Sequence, residues 1–586
     1  MKAKIMILTY FQAISMYIRR SPNIIGFVIV SLIISIFPYI NTILLNMIIE
    51  RIQNQAYQIL FVLIFGYVLF AIIRDLMNNL NQQFIFRASR EMSNALQLQI
   101  HSKVMKVSSL SFEDEQWYEQ YRRVEHITGC VHDLFISTVA LLSAVITLIT
   151  YIIYLFELIP FYFALLGALI IIPALIKSFV FSRQSYFSDR AVDSKRQRAG
   201  DIQGMFLDIN ILKEIKLYFS ERHIINRLRD KTDEVQKQKR NIEFRYSFYC
   251  TLMYLLVGAI VFVILSLVYT SNSSAQNTTA TMITLIPFML TLVSSFDQTS
   301  NHMDGVFYST QEYQEIRDFL MDKTHEVQTS DAKLPCDFSI QLDNVTFSYP
   351  NSIEPVLHDI TLTIKPYETI ALVGQNGCGK TTLLKVLAGL YPPESGEIYY
   401  DRINVQNIDR HEIYDKISFA FQSPVKYPFC LKDNVSLFED KPERCKIAQE
   451  MFGDTLYHDD KILSPGYTNS RNVSGGQWQK IGLARALGNN SSVYIFDEPT
   501  SALDPIAEIE IFNSFFAHTK GKCVILSTHR LGLARKADRI IVMDRGRIIG
   551  QGTHDELIQS CIEYRELYDS QKQWYTMRNE DAKDEK

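Results

Sequence analysis

Hydrophobic and polar positions follow two different regimes along the 586 residues. In the first regime six long apolar runs stand out: roughly Ile24–Ile48, Ala56–Ile73, Leu134–Phe156, Pro160–Phe181, Ser247–Tyr269 and Thr279–Phe296. At about 1.5 Å per residue, runs of this length match the ~30 Å hydrocarbon core of a bilayer. Apart from Lys177 near the end of the fourth, they contain no Asp, Glu, Lys or Arg. Six such runs predict membrane-spanning helices, not buried helices of a soluble protein. The long stretches after the second and fourth runs keep helical spacing with few breakers, so the helices are predicted to continue past the bilayer. From Phe338 the second regime begins, with short strands alternating with helices, the pattern of a parallel sheet.

Charge orients the first regime. Lys and Arg concentrate before run one, between runs two and three, and between runs four and five. The opposite loops hold only Arg51. The positive-inside rule then puts both termini and the long loops in the cytoplasm. The opening "MKAKIMILTYFQAISMYIRRSPN" is too mixed for a signal peptide and reads as an amphipathic segment on the membrane surface. Net charge is −4, and no basic tract carries interleaved aromatics, which argues against nucleic acid as a partner. The eight cysteines form no C-x-x-C pair, so reduced thiols are expected, with neither a disulfide framework nor a zinc site.

The second regime carries the chemistry. "ALVGQNGCGKTTLLKVLAGL" places a phosphate loop (Gly374, Gln375, Asn376, Gly377, Cys378, Gly379, Lys380, Thr381) between an apolar strand and an apolar helix. Its glycines let backbone N–H groups close around phosphate, Lys380 reaches the β- and γ-phosphates, and the Thr381 hydroxyl ligates Mg²⁺. Thr382 adds an α-phosphate contact. "VYIFDEP" is a buried strand ending in two acids. Asp497 is placed to hold Mg²⁺, and Glu498 is the natural general base for a water attacking the γ-phosphate. The fold class expected is an α-helical six-span transmembrane domain followed by an α/β P-loop nucleotide-binding domain. The expected boundaries are 1–320 and 338–570, with 571–586 a charged tail.

"VSGGQ" (Val473–Gln477) resembles the signature of ATP-binding cassette proteins, which usually begins with Leu. In that family Ser474, Gly475, Gly476 and Gln477 would cap the γ-phosphate of an ATP held by a partner cassette. Each cassette is then half of two sites, which implies a second subunit, in the simplest case a homodimer. The resemblance implies further roles. Tyr349 in "FSYP" looks like the aromatic that stacks on adenine. Gln422 in "FAFQSP" resembles the glutamine that senses Mg²⁺ and the attacking water. Ser501, Ala502, Leu503 and Asp504 look like the loop that crosses the dimer interface. His529 in "LSTHR" resembles the histidine on the γ-phosphate. One departure is "PGYTNSRNV" before the signature, which lacks the acid many exporters have there. "SFEDEQWYEQ" and "DINILKEIKLYFSE" are the candidate segments for contact with the cassette.

Across nearly the whole chain the arrangement resembles an ABC exporter half-transporter, an ATP hydrolase coupled to transport with ATP and Mg²⁺ as its nucleotide and metal. "SGGQWQKIGLARAL", with Trp478 where most exporters have Arg, "QSPVKYPF", "HDELIQSCIEYRELYDSQ" and "LSFEDEQWYEQYRRVEHI" are similar to nisin-type lantibiotic exporters. That resemblance implies export of a leader-bearing modified peptide across the cytoplasmic membrane, without a peptidase domain, and modification enzymes and membrane lipid as partners. The alternatives are a multidrug or lipid exporter of the same architecture, a soluble cassette ATPase, and a sensor subunit that binds ATP without pumping.

Overall fold

The computed structural model describes residues 2–20, 23–53, 57–158, 190, 192–193, 195–271, 275–326, 332–439, 441–453, 457–464, 468–499 and 515–571. The chain divides into two compact units. One comprises Met1–Val104 and Gln120–Asp322, the other Met105–Glu119 and Lys323–Lys586. The second unit thus takes in a fifteen-residue excursion from the helical half, which includes most of the "SFEDEQWYEQ" segment.

The first unit is helical. Among its described residues four helices are long and apolar enough to cross a membrane: Ile24–Ile49, Gln58–Val104, Cys130–Ile153 and Glu221–Leu267. The predicted fourth run, residues 160–181, lies outside the described residues. The predicted sixth run lies inside the helix Ala275–Met321. The first run is not one straight helix. It breaks between Asn23–Ile34 and Phe37–Gln53, just before Pro38, which has no N–H to donate into the preceding turn. The Ser35 carbonyl at that break accepts from Thr147 Oγ1 at 2.9 Å, so a neighbouring helix satisfies it. The opening segment is the helix Lys2–Arg20. It buries Ala13 and Tyr17 and leaves Ile7, Leu8 and Phe11 exposed. Tyr17 stacks on Phe135 at 4.4 Å, and its hydroxyl lies 2.8 Å from His132 Nδ1.

The second unit carries two sheets. An antiparallel one runs β2 (Leu357–Ile364), β1 (Ile340–Phe347), β4 (Ser395–Tyr400), β5 (Ile403–Asn404). The larger sheet runs β10 (Arg547–Gly552), β9 (Arg539–Asp544), β3 (Thr369–Gly374), β8 (Cys523–Ser527), β7 (Val493–Asp497), β6 (Ile417–Ala420). It is parallel except for β10, which pairs antiparallel with β9. Its central strands are apolar on both faces because both are covered. Ile370 and Leu372 enter one core with Val493, Ile495 and Ile525. Ala371 and Val373 enter the other with Tyr494, Phe496 and Leu526. Each fully buried side chain of this kind stabilises by about 1.5–3 kcal/mol relative to exposure, so the strand ends are held rigidly.

Candidate nucleotide site

Parallel register assembles the site. Asp497 pairs with Ser527, and Leu372 pairs with Ser527 from the other side. The C-terminal ends of β3, β7 and β8 therefore lie level, and the turn after each strand opens at one edge, where ligands sit in such sheets. The phosphate loop leaves β3, the two acids end β7, and Thr528 and His529 follow β8.

Glycine is needed here for two distinct reasons. A Cβ on Gly374 would meet the Met543 carbonyl oxygen at 2.3 Å. Gly379 has φ +103° and caps the helix Lys380–Leu387. Lys380 is buried, and its Nζ donates to the Gly374 and Gln375 carbonyls, both at 2.9 Å. It also lies 3.8 Å from Cys378 Sγ. Burial pushes the Cys378 thiol above its ordinary pKa, with Lys380 pulling the other way.

A cavity of about 390 Å³ is lined by Asn376, Gly377, Gly379, Lys380, Thr381 and Thr382, together with Gln422, Glu498 and His529. Glu498 has φ +46°, and its N–H donates to Ser527 Oγ at 3.0 Å. Both its carboxylate oxygens are held. Oε1 lies 2.5 Å from His529 Nε2, and Oε2 accepts from Gln422 Nε2 at 2.9 Å. Asp497 sits beneath, buried, and accepts from Ser527 Oγ at 2.7 Å. Ser527 thus orients both acids, a role the sequence reading missed. The only signal for it was a hydroxyl at the end of a strand flanking the acidic one. Tyr349 reaches the first turn of the helix Lys380–Leu387, with its hydroxyl 3.1 Å from Thr382 Oγ1.

The signature residues are elsewhere. Ser474 caps the helix Gly475–Leu487. Its Oγ accepts from the Gln477 N–H at 3.2 Å, and the Gln477 Oε1 accepts from the Ser474 N–H at 2.9 Å. This reciprocal cap satisfies two backbone donors and leaves the first N–H groups of the helix, on Gly475 and Gly476, free of side-chain caps. None of Ser474, Gly475, Gly476 and Gln477 lines the phosphate-loop cavity. Ser501, Ala502, Leu503 and Asp504 lie outside the described residues. All eight cysteines are free thiols.

Residues 357–501 match the family model described as ABC transporter. The chain is 30% identical to the subtilin transport ATP-binding protein SpaT of Bacillus subtilis, across 83% of this chain and 81% of that protein. It is 39% identical to the nisin transport ATP-binding protein NisT of Lactococcus lactis subsp. lactis, across 40% of this chain and 41% of that one. The fold is that of a solved bacterial Atm1-family ABC exporter with ATP bound. The TM-score is 0.73 at 18% identity, covering 94% of this chain and 98% of the other.

Proposed function

Because the chain belongs to the ABC transporter family, whose members couple ATP hydrolysis to transport, we propose that it exports a leader-bearing modified peptide of the lantibiotic type across the cytoplasmic membrane. The observation that carries this reading is the likeness to a subtilin transport protein, which extends well beyond the cassette into the helical half. Modification enzymes would deliver the peptide on the cytoplasmic side. The cassette and both termini would face that side, and lipid would surround the spans.

In this reading the phosphate loop and Lys380 bind the β- and γ-phosphates, Thr382 the α-phosphate, and Tyr349 stacks on adenine. Lys380 is already seated on its own loop, so it loses little freedom on binding. Glu498 takes the proton of a water that attacks the γ-phosphorus in line as the bond to ADP breaks. His529 touches the γ-phosphate and, with Gln422, fixes the Glu498 carboxylate. The donors Thr381 hydroxyl, Gln422 amide oxygen and Asp497 carboxylate are hard oxygens, which fit Mg²⁺. Bound there, the ion neutralises charge on the phosphate oxygens.

The partner is a second cassette subunit, in the simplest case a second copy. Two features support this. None of Ser474, Gly475, Gly476 and Gln477 lines the phosphate-loop cavity of its own chain, so a phosphate they cap would be one held by another cassette. The short helix Ile209–Leu217 also presents exposed Leu207, Leu217, Tyr218 and Phe219, an apolar tip suited to burial against another chain.

The test is ATP turnover by the full chain in lipid vesicles. A leader-bearing precursor peptide should stimulate it and hydrophobic drugs should not, and Glu498→Gln should reduce it by about 100-fold or more. Stimulation by drugs or lipids alone would replace this substrate with the multidrug or lipid alternative.

A further inference from the structure

A second hold on His529 comes from outside every motif above. Residues 562–571 are helical. Tyr564, Leu567, Tyr568 and Gln571 recur at i, i+3, i+4 and i+7, so they share one face. Tyr564 is fully buried in the same core as Leu531, with Leu567 and Tyr568 packed against it. His554 locks this face, with its Nδ1 2.9 Å from the Tyr564 hydroxyl and its ring 4.9 Å from that of Tyr568.

These anchors deliver Gln571 to the backbone of the turn that follows β8. Its Oε1 accepts from the Leu531 N–H at 3.0 Å, and its Nε2 donates to the His529 carbonyl. One side-chain amide thus spans His529-Arg530-Leu531, using its donor and its acceptor at once. Leu531 begins the short helix Leu531–Ala534, whose preceding residue Arg530 supplies no side-chain cap. Gln571 fills that role from forty residues away. Within the turn it fixes, the His529 imidazole reaches Glu498 Oε1 at 2.5 Å. Gln571, the first residue of the expected charged tail, makes both of these contacts with the turn that carries His529.

We propose that Gln571 is a positioning residue for ATP hydrolysis. It holds the backbone of His529 so that the imidazole meets Glu498 and the γ-phosphate in one orientation. This rests on the reading of His529 given above. Only an amide can make both bonds: a carboxylate keeps the acceptor and loses the donor, and a thioether keeps the shape and loses both.

The experiment measures ATP turnover and nucleotide occupancy in the full chain. Gln571→Met should lower kcat by about three- to tenfold, the effect of losing the hold of a hydrogen bond. KM for ATP and the number of sites titrated by a fluorescent ATP analogue should be unchanged, because the phosphate loop and Tyr349 are untouched. Gln571→Glu should fall between Gln571→Met and the parent. Ser570→Ala, on the exposed neighbour, should match the parent. A kcat within about 1.5-fold of the parent in Gln571→Met would overturn the proposal. So would a fall in kcat matched by a fall in titrated sites, which marks unfolding. His529→Ala, run in parallel, separates the two layers. If it hydrolyses ATP like the parent, the role of His529 and the brace fall together. If it is impaired while Gln571→Met is not, only the brace falls.

Discussion

Tyr391 donates its hydroxyl to Glu113 Oε1 at 2.7 Å, joining residues 278 positions apart in sequence. Glu113 belongs to the short turn of helix Ser109–Glu113 on the excursion Met105–Glu119, whose two ends run back into the helical half. Tyr391 follows the phosphate-loop helix and accepts from Lys385 Nζ at 3.1 Å. Its buried ring lies parallel to Phe347 at 5.5 Å and edge-on to Tyr349 at 5.8 Å. Glu113 is therefore one residue, Tyr391, removed from the tyrosine that reaches Thr382 at the start of the helix after the phosphate loop.

Burial, and next the Glu113 carboxylate, hold the Tyr391 phenol well above its usual range, so it remains a donor throughout the physiological pH range. Tyr391→Phe keeps the ring contacts and removes only the hydroxyl. Glu113→Gln removes the charge from the acceptor. Each should lower the first thermal unfolding midpoint, and the double variant should be no less stable than the weaker single one. The coupling expected is about 1 kcal/mol, since Glu113 is largely exposed and solvent screens it. Strictly additive effects would show that the two side chains act independently.

Tyr349 separates stacking from hydrogen bonding. Tyr349→Phe loses only the contact with Thr382 and should leave KM for ATP within about twofold, as one half-buried hydrogen bond between neutral hydroxyls is worth little. Tyr349→Ala removes the aromatic face, and base stacking on such a face is worth about 1–3 kcal/mol. Its KM should rise at least fivefold with kcat nearly unchanged. Equal KM values for the Phe and Ala variants would remove Tyr349 from the nucleotide site.

What the sequence made legible and what it did not divide along physical lines. The phosphate loop, the acids after β7 and the cap at Ser474 are local. Glycine freedom, strand alternation and capping chemistry operate within a few residues, so their spacing is written in the chain. Bringing Gln422, Glu498 and His529 together needs only that parallel strands end level, which a βα alternation already implies. The links from Glu113 to Tyr391 and from Gln571 to His529 depend on which faces pack after folding. No period or motif announces them. The break before Pro38 was readable in principle, but a hydropathy window averages over it. The carbonyl satisfied by Thr147 could be found only in three dimensions.

Cys378 offers a chemical probe of the loop. Its thiol is buried and pushed up by that burial, and the thiolate is the reactive form. Alkylation by a maleimide should therefore be slow near pH 7 and accelerate as pH rises past the ordinary thiol range, because a raised pKa postpones deprotonation. The adduct should block ATP turnover, since Gly374 and Lys380 leave no room beside the sulfur. ATP should protect against it. Mass-spectrometric labelling that stays fast at pH 7 with ATP present would contradict the geometry of the loop.

Ser474 combines two jobs that a single alanine variant would confound. Its Oγ accepts from the Gln477 N–H, so Ser474→Ala loses a helix cap worth about 1 kcal/mol as well as any contact with a partner's nucleotide. Asp and Asn cap as well as Ser, so Ser474→Asp and Ser474→Asn should keep the thermal midpoint of the parent. Their effects on turnover should nonetheless be severe and ordered. Asp would set a carboxylate against the γ-phosphate across the interface, where two like charges in a partly dry site repel by several kcal/mol, and hydrolysis should vanish. Asn carries no charge and should retain a low residual rate. Alanine should fall between them in turnover while being the least stable of the three. If turnover instead follows thermal stability, Ser474 is a helix cap and nothing more, and the two-copy site must be closed by other groups.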